Sequence, residues 1–232
     1  MRSLKRLVAV YGGSSAHHRA LHEPKYARWL AGSVYLPDLP RADLSRYDGV
    51  IVPERLHAGL QDAIRPRLRE VLDRGGTVVL FGDQTPYAHR PRGWLPGVDW
   101  EHRPTNYWWW LEPRATSGLR AHHPGHELWS HLSLDDATWH QHGVFHPPPG
   151  AEVLISADDG AAVLYVDEVS TPGTLVVTSL DPMSHYGSYF MPATERFLDG
   201  FLPWLAGAAH PPVPGCEVVA RATTSGARTT GS

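Results

Sequence analysis

The segments Tyr47-Asp48-Gly49-Val50-Ile51-Val52-Pro53-Glu54 and Thr77-Val78-Val79-Leu80-Phe81 are short apolar runs that flank a helical pattern. In that pattern, Gln61–Arg74, apolar residues recur at helical spacing, and Gly75-Gly76 supplies a C-terminal stop. A strand, a helix and a second strand in this order predict a β-α-β unit. Such units form a parallel sheet with helices on both faces, so the sequence predicts an α/β fold.

The alternation extends outward from this unit. Leu7–Tyr11 predicts a first buried strand, His22–Ala31 a helix and Ser33–Leu36 a second strand. Near the end of the chain, Ala193–Leu205 is an amphipathic helical pattern. It follows three β-rich runs, Glu152–Ser156, Ala162–Val166 and Thr174–Leu180. We therefore expect a single domain over residues 1–207.

Two parts of the chain depart from the alternation. Residues from about 85 to 150 are rich in Pro, Gly, Trp and His, and contain only short β-like pieces. Such a stretch is long for a loop in a compact domain, so it predicts an irregular Trp/His-rich insertion with some structure of its own. Residues 208–232 are small, polar and aperiodic, which predicts a flexible tail.

Composition excludes several classes of function. The 232 residues carry a formal net charge of -3, which argues against a nucleic-acid-binding or anionic-membrane surface. No apolar run approaches the roughly 18 residues that a membrane helix needs. The single cysteine, Cys216, excludes an intrachain disulfide framework and fits a reducing compartment. We expect a soluble cytoplasmic protein with no nucleic-acid or membrane partner.

Three segments carry a family resemblance. Tyr47–Glu54 is similar to a "y-D-x-h-h-h-P" strand, Leu72–Gly82 to an "h-x-x-G-G-x-h-h-h-h-G" element, and Gly173–Gly187 to a late strand with a His-bearing loop. In this order they resemble the class I glutamine-amidotransferase-like superfamily. The stretch from His123 to Leu154 resembles its trehalose-utilization-type branch. The resemblance spans most of residues 5–206 and implies a flavodoxin-like, three-layer parallel-sheet core and sugar-related chemistry.

The resemblance also shows what this chain lacks. Asp83 and Gln84 stand where amidotransferases of the superfamily carry their nucleophilic cysteine, and Cys216 lies in the polar tail. His185 lies near the family's histidine, but Tyr186 and Gly187 follow it instead of a His-x-Glu pattern. Glutamine hydrolysis by a cysteine thiolate is therefore excluded, and the trehalose-utilization-type branch lacks that cysteine too.

Open α/β sheets bind ligands at the carboxyl ends of their strands. His185 is the expected general acid/base, with Asp181 to orient it, although Asp181-Pro182 could simply end a strand. Asp83 is a further catalytic candidate if burial raises its pKa, or else a turn or helix-capping residue. The ligand-binding candidates at this edge are Gly13, Ser14, Glu54, Gln84, Tyr87 and Tyr186.

The segment Trp139-His140-Gln141-His142-Gly143 suggests a metal site. In an extended chain His140 and His142 face the same side. With Asp181 or His185 they could form a three-ligand site for a divalent metal, with an open position for a water molecule. The alternative is a set of surface or hydrogen-bonding histidines.

The segment Tyr107-Trp108-Trp109-Trp110 concentrates aromatic side chains. Flat indole faces stack on sugar rings, so Trp108, Trp109 and Trp110 are ligand-binding candidates. A hydrophobic plug under a long loop, or the interface of a homo-oligomer, is the alternative.

Three functional hypotheses follow. The first is a cysteine-less amidotransferase-like protein that binds, and transforms by His/Asp acid-base chemistry, a small polar, carbohydrate-like ligand. The second is a metal-assisted hydrolase that uses His140 and His142. The third is a non-catalytic binding or assembly module that uses the surface of Trp108–Trp110.

Overall fold

The computed structural model describes residues 3–82, 84, 92–105, 116–189 and 191–209. In this part of the chain the strands are β1 Leu7–Tyr11, β2 Gly32–Tyr35, β3 Gly49–Val52, β4 Thr77–Phe81, β5 Trp100–His102, β6 Arg120–Ala121, β7 Gly143–Phe145, β8 Glu152–Ser156, β9 Ala162–Asp167 and β10 Thr174–Thr178. The helices are α1 Ser15–His22, α2 Pro24–Ala27, α3 Ala58–Asp73, α4 Pro182–Gly187 and α5 Ala193–Leu205. Three 3-10 segments cover Leu36–Arg41, Glu127–Ser130 and Leu134–Ala137.

One mixed sheet contains all ten of these strands. Its main path runs β2-β1-β3-β4-β10-β9-β7-β5, and β8 pairs with both β9 and β6. The first five strands are parallel, and β9, β7 and β5 continue the sheet in antiparallel pairing. The predicted α/β fold with a parallel sheet is therefore confirmed. The described strands of the insertion join the same sheet.

The sheet has helices on both faces. Leu7 and Ala9 of β1 point into one hydrophobic core, which α1, α2, α4 and α5 complete. Val8 and Val10 point into a second core on the opposite face, completed by α3 and the segment Leu36–Arg41. The alternation of strand side chains across a pleated sheet produces this division, so every residue from Leu7 to Val10 is buried.

The helix predicted at His22–Ala31 begins and ends earlier in the structure. Ser14 caps α1, because its side-chain oxygen accepts a hydrogen bond from the backbone N–H of His17. Pro24 disfavours helical geometry in the residue before it, and Glu23 has an extended backbone, with φ −64° and ψ 132°. Only the single turn α2 follows before β2.

Some predictions concern residues beyond the described ranges. The tail from residue 210 onward and most of the stretch from 83 to 91 belong to this group. In the described ranges, no helix combines the length and the apolar character that a membrane span requires.

Candidate functional site

Asp181 and His185 occupy the carboxyl end of β10. The predicted His-bearing loop is in fact helix α4, which starts with Pro182 at its first position. Pro is favoured there because its fixed φ suits a helix and its missing N–H would be unsatisfied anyway. One turn of helix brings the two side chains together, with His185 Nε2 3.1 Å from Asp181 Oδ2. The predicted contact between them is therefore present in the structure.

Asp181 is the centre of a buried polar cluster. Its side chain is fully buried, and its Oδ1 accepts a hydrogen bond from the indole N–H of Trp139 at 3.1 Å. Its Oδ2 accepts a hydrogen bond from Arg55 Nη2 at 2.8 Å. Burial would raise the pKa of Asp181, but the neighbouring imidazoles of His142 and His185 and the charge of Arg55 outweigh burial and hold it well below its usual range. Asp181 is therefore an ionised carboxylate at neutral pH.

His140 joins this cluster from the insertion. It is 1% exposed, and its Nε2 lies 3.1 Å from Nε2 of His185. Burial lowers the pKa of His140 to about 4, although the charge of Asp181 opposes that shift. The imidazole is therefore neutral at neutral pH. Ligand atoms of His140, Asp181 and His185 all lie within 4.8 Å of one another.

His142 lies beside this group of three. Its Nδ1 is 2.8 Å from the hydroxyl oxygen of Thr105, and its Nε2 is 3.6 Å from Asp181 Oδ2. The rings of His140 and His142 meet edge to face, with centroids 5.1 Å apart. The sequence pattern predicted His140 and His142 as metal ligands, with Asp181 or His185 as the third. The structure instead places His140 with Asp181 and His185, and His142 contacts the same carboxylate at a longer distance.

Glu54 lies fully buried just beyond the end of β3. Its Oε1 accepts a hydrogen bond from the backbone N–H of Ser184, in the first turn of α4. Burial and the negative charge of Asp181 raise the pKa of Glu54 to about 8. The sequence predicted Glu54 as a ligand-binding residue, and in the structure its side chain is hydrogen-bonded to the helix that carries His185.

Gln84 braces the end of β4. Its side-chain amide donates hydrogen bonds to the carbonyl groups of Pro53 and Phe81, and its oxygen accepts one from Gln61 Nε2 at 2.9 Å. Gln61 Nε2 also donates to the carbonyl of Leu56 at 2.7 Å. These bonds hold the connection between β3 and α3 against β4. The side chain predicted to bind ligand is thus engaged within the fold.

The other predicted residues at this edge have local roles. Ser14 caps α1, and Gly13 has φ +90°, a backbone conformation that favours glycine. Tyr186 packs edge to face on Tyr26, with ring centroids 4.9 Å apart, and its hydroxyl donates a hydrogen bond to Glu23. The predicted residues Asp83, Tyr87, Trp108, Trp109 and Trp110 lie outside the described residues.

Sequence analysis missed two members of the cluster, Arg55 and Trp139. Arg55 has φ +55°, a backbone conformation that is uncommon for a residue with a side chain. The sequence does not show this backbone conformation. The position of Arg55 directly after the strand-end carboxylate Glu54 could nevertheless have suggested it as a member of the site. Trp139 belongs to the segment that predicted the metal site, but no role was assigned to its own side chain; it is 2% exposed and donates to Asp181.

His17 is a second buried histidine near this edge, and it gives a prediction about pH. Burial lowers its pKa from 6.5 to about 4; the nearby backbone of Glu54 opposes this shift, and the charge of Arg55 adds to it. Between pH 6.5 and 4 the unfolded chain takes up a proton that the folded chain does not. We therefore expect His17 to reduce the free energy of unfolding by up to about 1.4 kcal/mol per unit as pH falls through this window.

Urea unfolding of the wild type and His17→Gln at pH 7, 6 and 5 checks this. The variant should lose less stability between pH 7 and 5, because other titrating groups are common to both proteins. His22→Gln, at an exposed site on the same helix, is the control and should keep the wild-type slope. Equal slopes for wild type and His17→Gln would contradict the assignment.

Comparisons with known proteins bear on the fold. No family model and no curated protein matches the sequence. The fold is similar to that of two cytoplasmic proteins of Salmonella. One, from Salmonella typhimurium LT2, has a TM-score of 0.52 and 11% identity, over 87% of this chain and 99% of that chain. The other, from Salmonella typhimurium, has a TM-score of 0.52 and 13% identity, over 88% of this chain and 99% of that chain.

An exo-beta-1,4-mannosidase from Opitutaceae bacterium strain TAV5 is a more distant match. It has a TM-score of 0.47 and 12% identity, over 88% of this chain and 36% of that chain. Such a score is too low to establish a shared fold. At these identities the two Salmonella proteins show the fold alone, so the site must be interpreted from its own geometry.

Proposed function

We propose that the cluster is the centre of a metal-assisted hydrolase, in which His140, Asp181 and His185 hold one divalent first-row transition-metal ion. The observation that carries the proposal is the convergence of His140 Nε2, His185 Nε2 and Asp181 Oδ2, with two of the separations at 3.1 Å. Ligand atoms about 2.0–2.1 Å from a tetrahedral zinc ion lie about 3.4 Å apart. Two of the three separations are thus within a few tenths of an ångström of that spacing, and the ligand atoms of all three residues lie within 4.8 Å of one another.

The protonation states support the same proposal. A metal ligand must be a neutral imidazole or an ionised carboxylate. His140 and Asp181 hold those forms at neutral pH, because of burial and of neighbouring charges respectively. With three protein ligands, a bound ion would keep an open position and would supply an activated water molecule for hydrolysis near neutral pH.

The position of the cluster supports a small polar ligand, and the composition of the chain supports a reducing compartment. The cluster lies at the carboxyl ends of β3 and β10, the edge at which open α/β sheets bind ligands. As part of the proposal the substrate is small, polar and carbohydrate-like. We infer that the protein is cytoplasmic, because its single cysteine fits a reducing compartment and the two structurally similar Salmonella proteins are cytoplasmic.

The order of the parallel strands supports the proposed fold family. β2-β1-β3-β4-β10 corresponds to the flavodoxin-like order 2-1-3-4-5 if β10 is counted as the fifth parallel strand. We propose a cysteine-less, amidotransferase-like member of this class, with the insertion lying between its fourth and fifth parallel strands.

Metal analysis with an activity screen tests the proposed function. Native mass spectrometry of gently purified protein should show one metal ion per chain and any retained organic ligand. Chromogenic glycoside, ester and amide substrates should be hydrolysed, with activity lost in chelator and restored by zinc, manganese or ferrous ions. Protein that binds none of these ions, or whose hydrolysis is insensitive to chelator, would rule out the metal centre.

The second candidate is metal-free acid-base chemistry by His185, oriented by Asp181. The ion pair between Arg55 and Asp181 favours it, because a guanidinium 2.8 Å from Oδ2 already neutralises the carboxylate. The Arg55 side chain is 48% exposed, so it can leave the carboxylate without crossing the core. In the metal-centre proposal, Arg55 balances the charge of Asp181 until the metal ion binds.

Replacing Arg55 by glutamine separates the two candidates. For the metal centre we expect zinc affinity to rise about tenfold or more, because a competing charge within about 4 Å of the ion is removed. The metal-free protein should lose about 1–3 kcal/mol of stability, because Asp181 loses a charged hydrogen bond. Calorimetric titration with zinc and urea unfolding measure the two effects.

Arg120→Gln, which breaks an exposed ion pair with Asp158, is the matched control and should change neither quantity. Weaker zinc binding in Arg55→Gln would contradict the metal-centre proposal. It would instead favour acid-base chemistry with Arg55 as a permanent partner of Asp181.

A further inference from the structure

The helix that carries His185 is capped in an unusual way. Asp181 stands at the residue before the first turn of α4, where an aspartate commonly accepts a hydrogen bond from a backbone N–H of that turn. Its carboxylate makes no such bond among the described residues. It is turned instead toward Trp139, Arg55 and His185.

Glu54, just beyond the end of β3, supplies the hydrogen-bond acceptor for α4 that Asp181 does not supply. Its Oε1 accepts the hydrogen bond from Ser184 N–H, across 130 positions of sequence. The side chain is fully buried, and its second oxygen has no hydrogen-bond partner in the part of the chain that the structure describes. Both oxygens are therefore in the interior, next to the cluster.

Gly82 makes this arrangement sterically accessible. It follows β4 with φ +66°, and its backbone N–H donates to the carbonyl of Thr178 at 2.9 Å. A Cβ atom at Gly82 would lie 2.4 Å from Cβ of Glu54 and 3.3 Å from Cβ of Asp181. The ends of β3 and β10 thus approach each other across a residue with no side chain.

We propose that Glu54 is a positioning residue of the site: it binds the Ser184 amide in place of Asp181 and so leaves the Asp181 carboxylate to the cluster. Without Glu54, the carboxylate of Asp181 would be the nearest alternative cap for α4. Its rotation toward Ser184 would remove the acceptor from Trp139 and a ligand atom from the metal centre. In this role Glu54 acts through the Asp181 carboxylate.

Three substitutions of Glu54 test this proposal. Glu54→Gln keeps an acceptor of the same reach, Glu54→Asp shortens the side chain by one methylene group, and Glu54→Leu removes the acceptor. The metal-free readout is hydrogen exchange of the Trp139 indole N–H, assigned with Trp139→Phe. In the Asp and Leu variants we expect exchange to be about ten- to a hundredfold faster, because the bond to Asp181 is lost, while the Gln variant stays near the wild type.

The second readout is zinc affinity, and this part of the test rests on the proposed function. We expect a loss of about ten- to a hundredfold in Glu54→Asp and Glu54→Leu and rescue in Glu54→Gln. The positioning role would be overturned if a folded Glu54→Asp variant exchanged its Trp139 indole N–H at the wild-type rate. It would also be overturned if the Glu54→Gln variant exchanged that proton as fast as the Glu54→Leu variant. If the wild type binds no zinc, the metal centre is wrong, and indole exchange still decides the role of Glu54.

Discussion

Replacing His140 by alanine will weaken zinc binding by more than about a hundredfold, because it removes one of three protein ligands, a larger change than the loss of an outer-shell partner. The wild type should bind one ion per chain in a calorimetric titration of the chelator-treated protein. His185→Ala should have an effect of similar size. Circular dichroism and thermal unfolding of each variant establish that the fold is retained, and His140→Gln serves if the alanine variant is unstable.

His142→Ala is the informative comparison. The Nε2 of His142 is 3.6 Å from Asp181 Oδ2 but lies outside the group of three, so this variant should keep one ion per chain with a smaller loss of affinity. His146→Ala, at a half-exposed histidine bound to Glu101, is the matched control and should bind as the wild type does. Loss of binding in His142→Ala, with binding kept in His140→Ala, would overturn this ligand set.

Gly82→Ala should cost about 3 kcal/mol or more of the free energy of unfolding, since it combines two penalties. A residue with a side chain is strained at φ +66°, and its Cβ would lie 2.4 Å from Cβ of Glu54. Relief requires the ends of β3 and β4 to separate, which also disturbs the cluster. Urea unfolding followed by circular dichroism measures the loss.

Gly207→Ala isolates the backbone contribution. Gly207 has φ +70°, close to that of Gly82, and nothing lies within 4 Å of a Cβ built on it. This control should lose about 1 kcal/mol. Equal losses at the two positions would mean that the contact with Glu54 is not a constraint on the fold.

The core of the fold was predictable because its strands are buried on both faces. Short uninterrupted apolar runs such as Val50–Val52 and Val78–Phe81 are typical of strands that a parallel sheet covers on both faces, and the alternation with helices supports that interpretation. The boundaries were less predictable, since they depend on single contacts. The hydrogen bond between Ser14 and His17 starts α1 seven residues before the predicted helix.

The site was predictable where its geometry is local. Asp181 and His185 are one helical turn apart, and their position after a strand places them at the ligand-binding edge. His140 was marked by its spacing from His142, but its proximity to His185 depends on the path of the insertion across the sheet. Arg55 was not predicted, because its side chain reaches Asp181 from a backbone with positive φ, and the sequence does not show that conformation.

The contacts that build the site have a consequence for how a metal ion must be supplied. They join residues 45, 126 and 130 positions apart, so the ligand set exists only after the sheet has assembled. The unfolded chain, by contrast, offers 15 histidines to the same ion. Because an ion that also binds the unfolded chain stabilises the fold less than its affinity for the folded chain implies, thermal shifts will understate that affinity. Refolding should therefore precede the addition of metal.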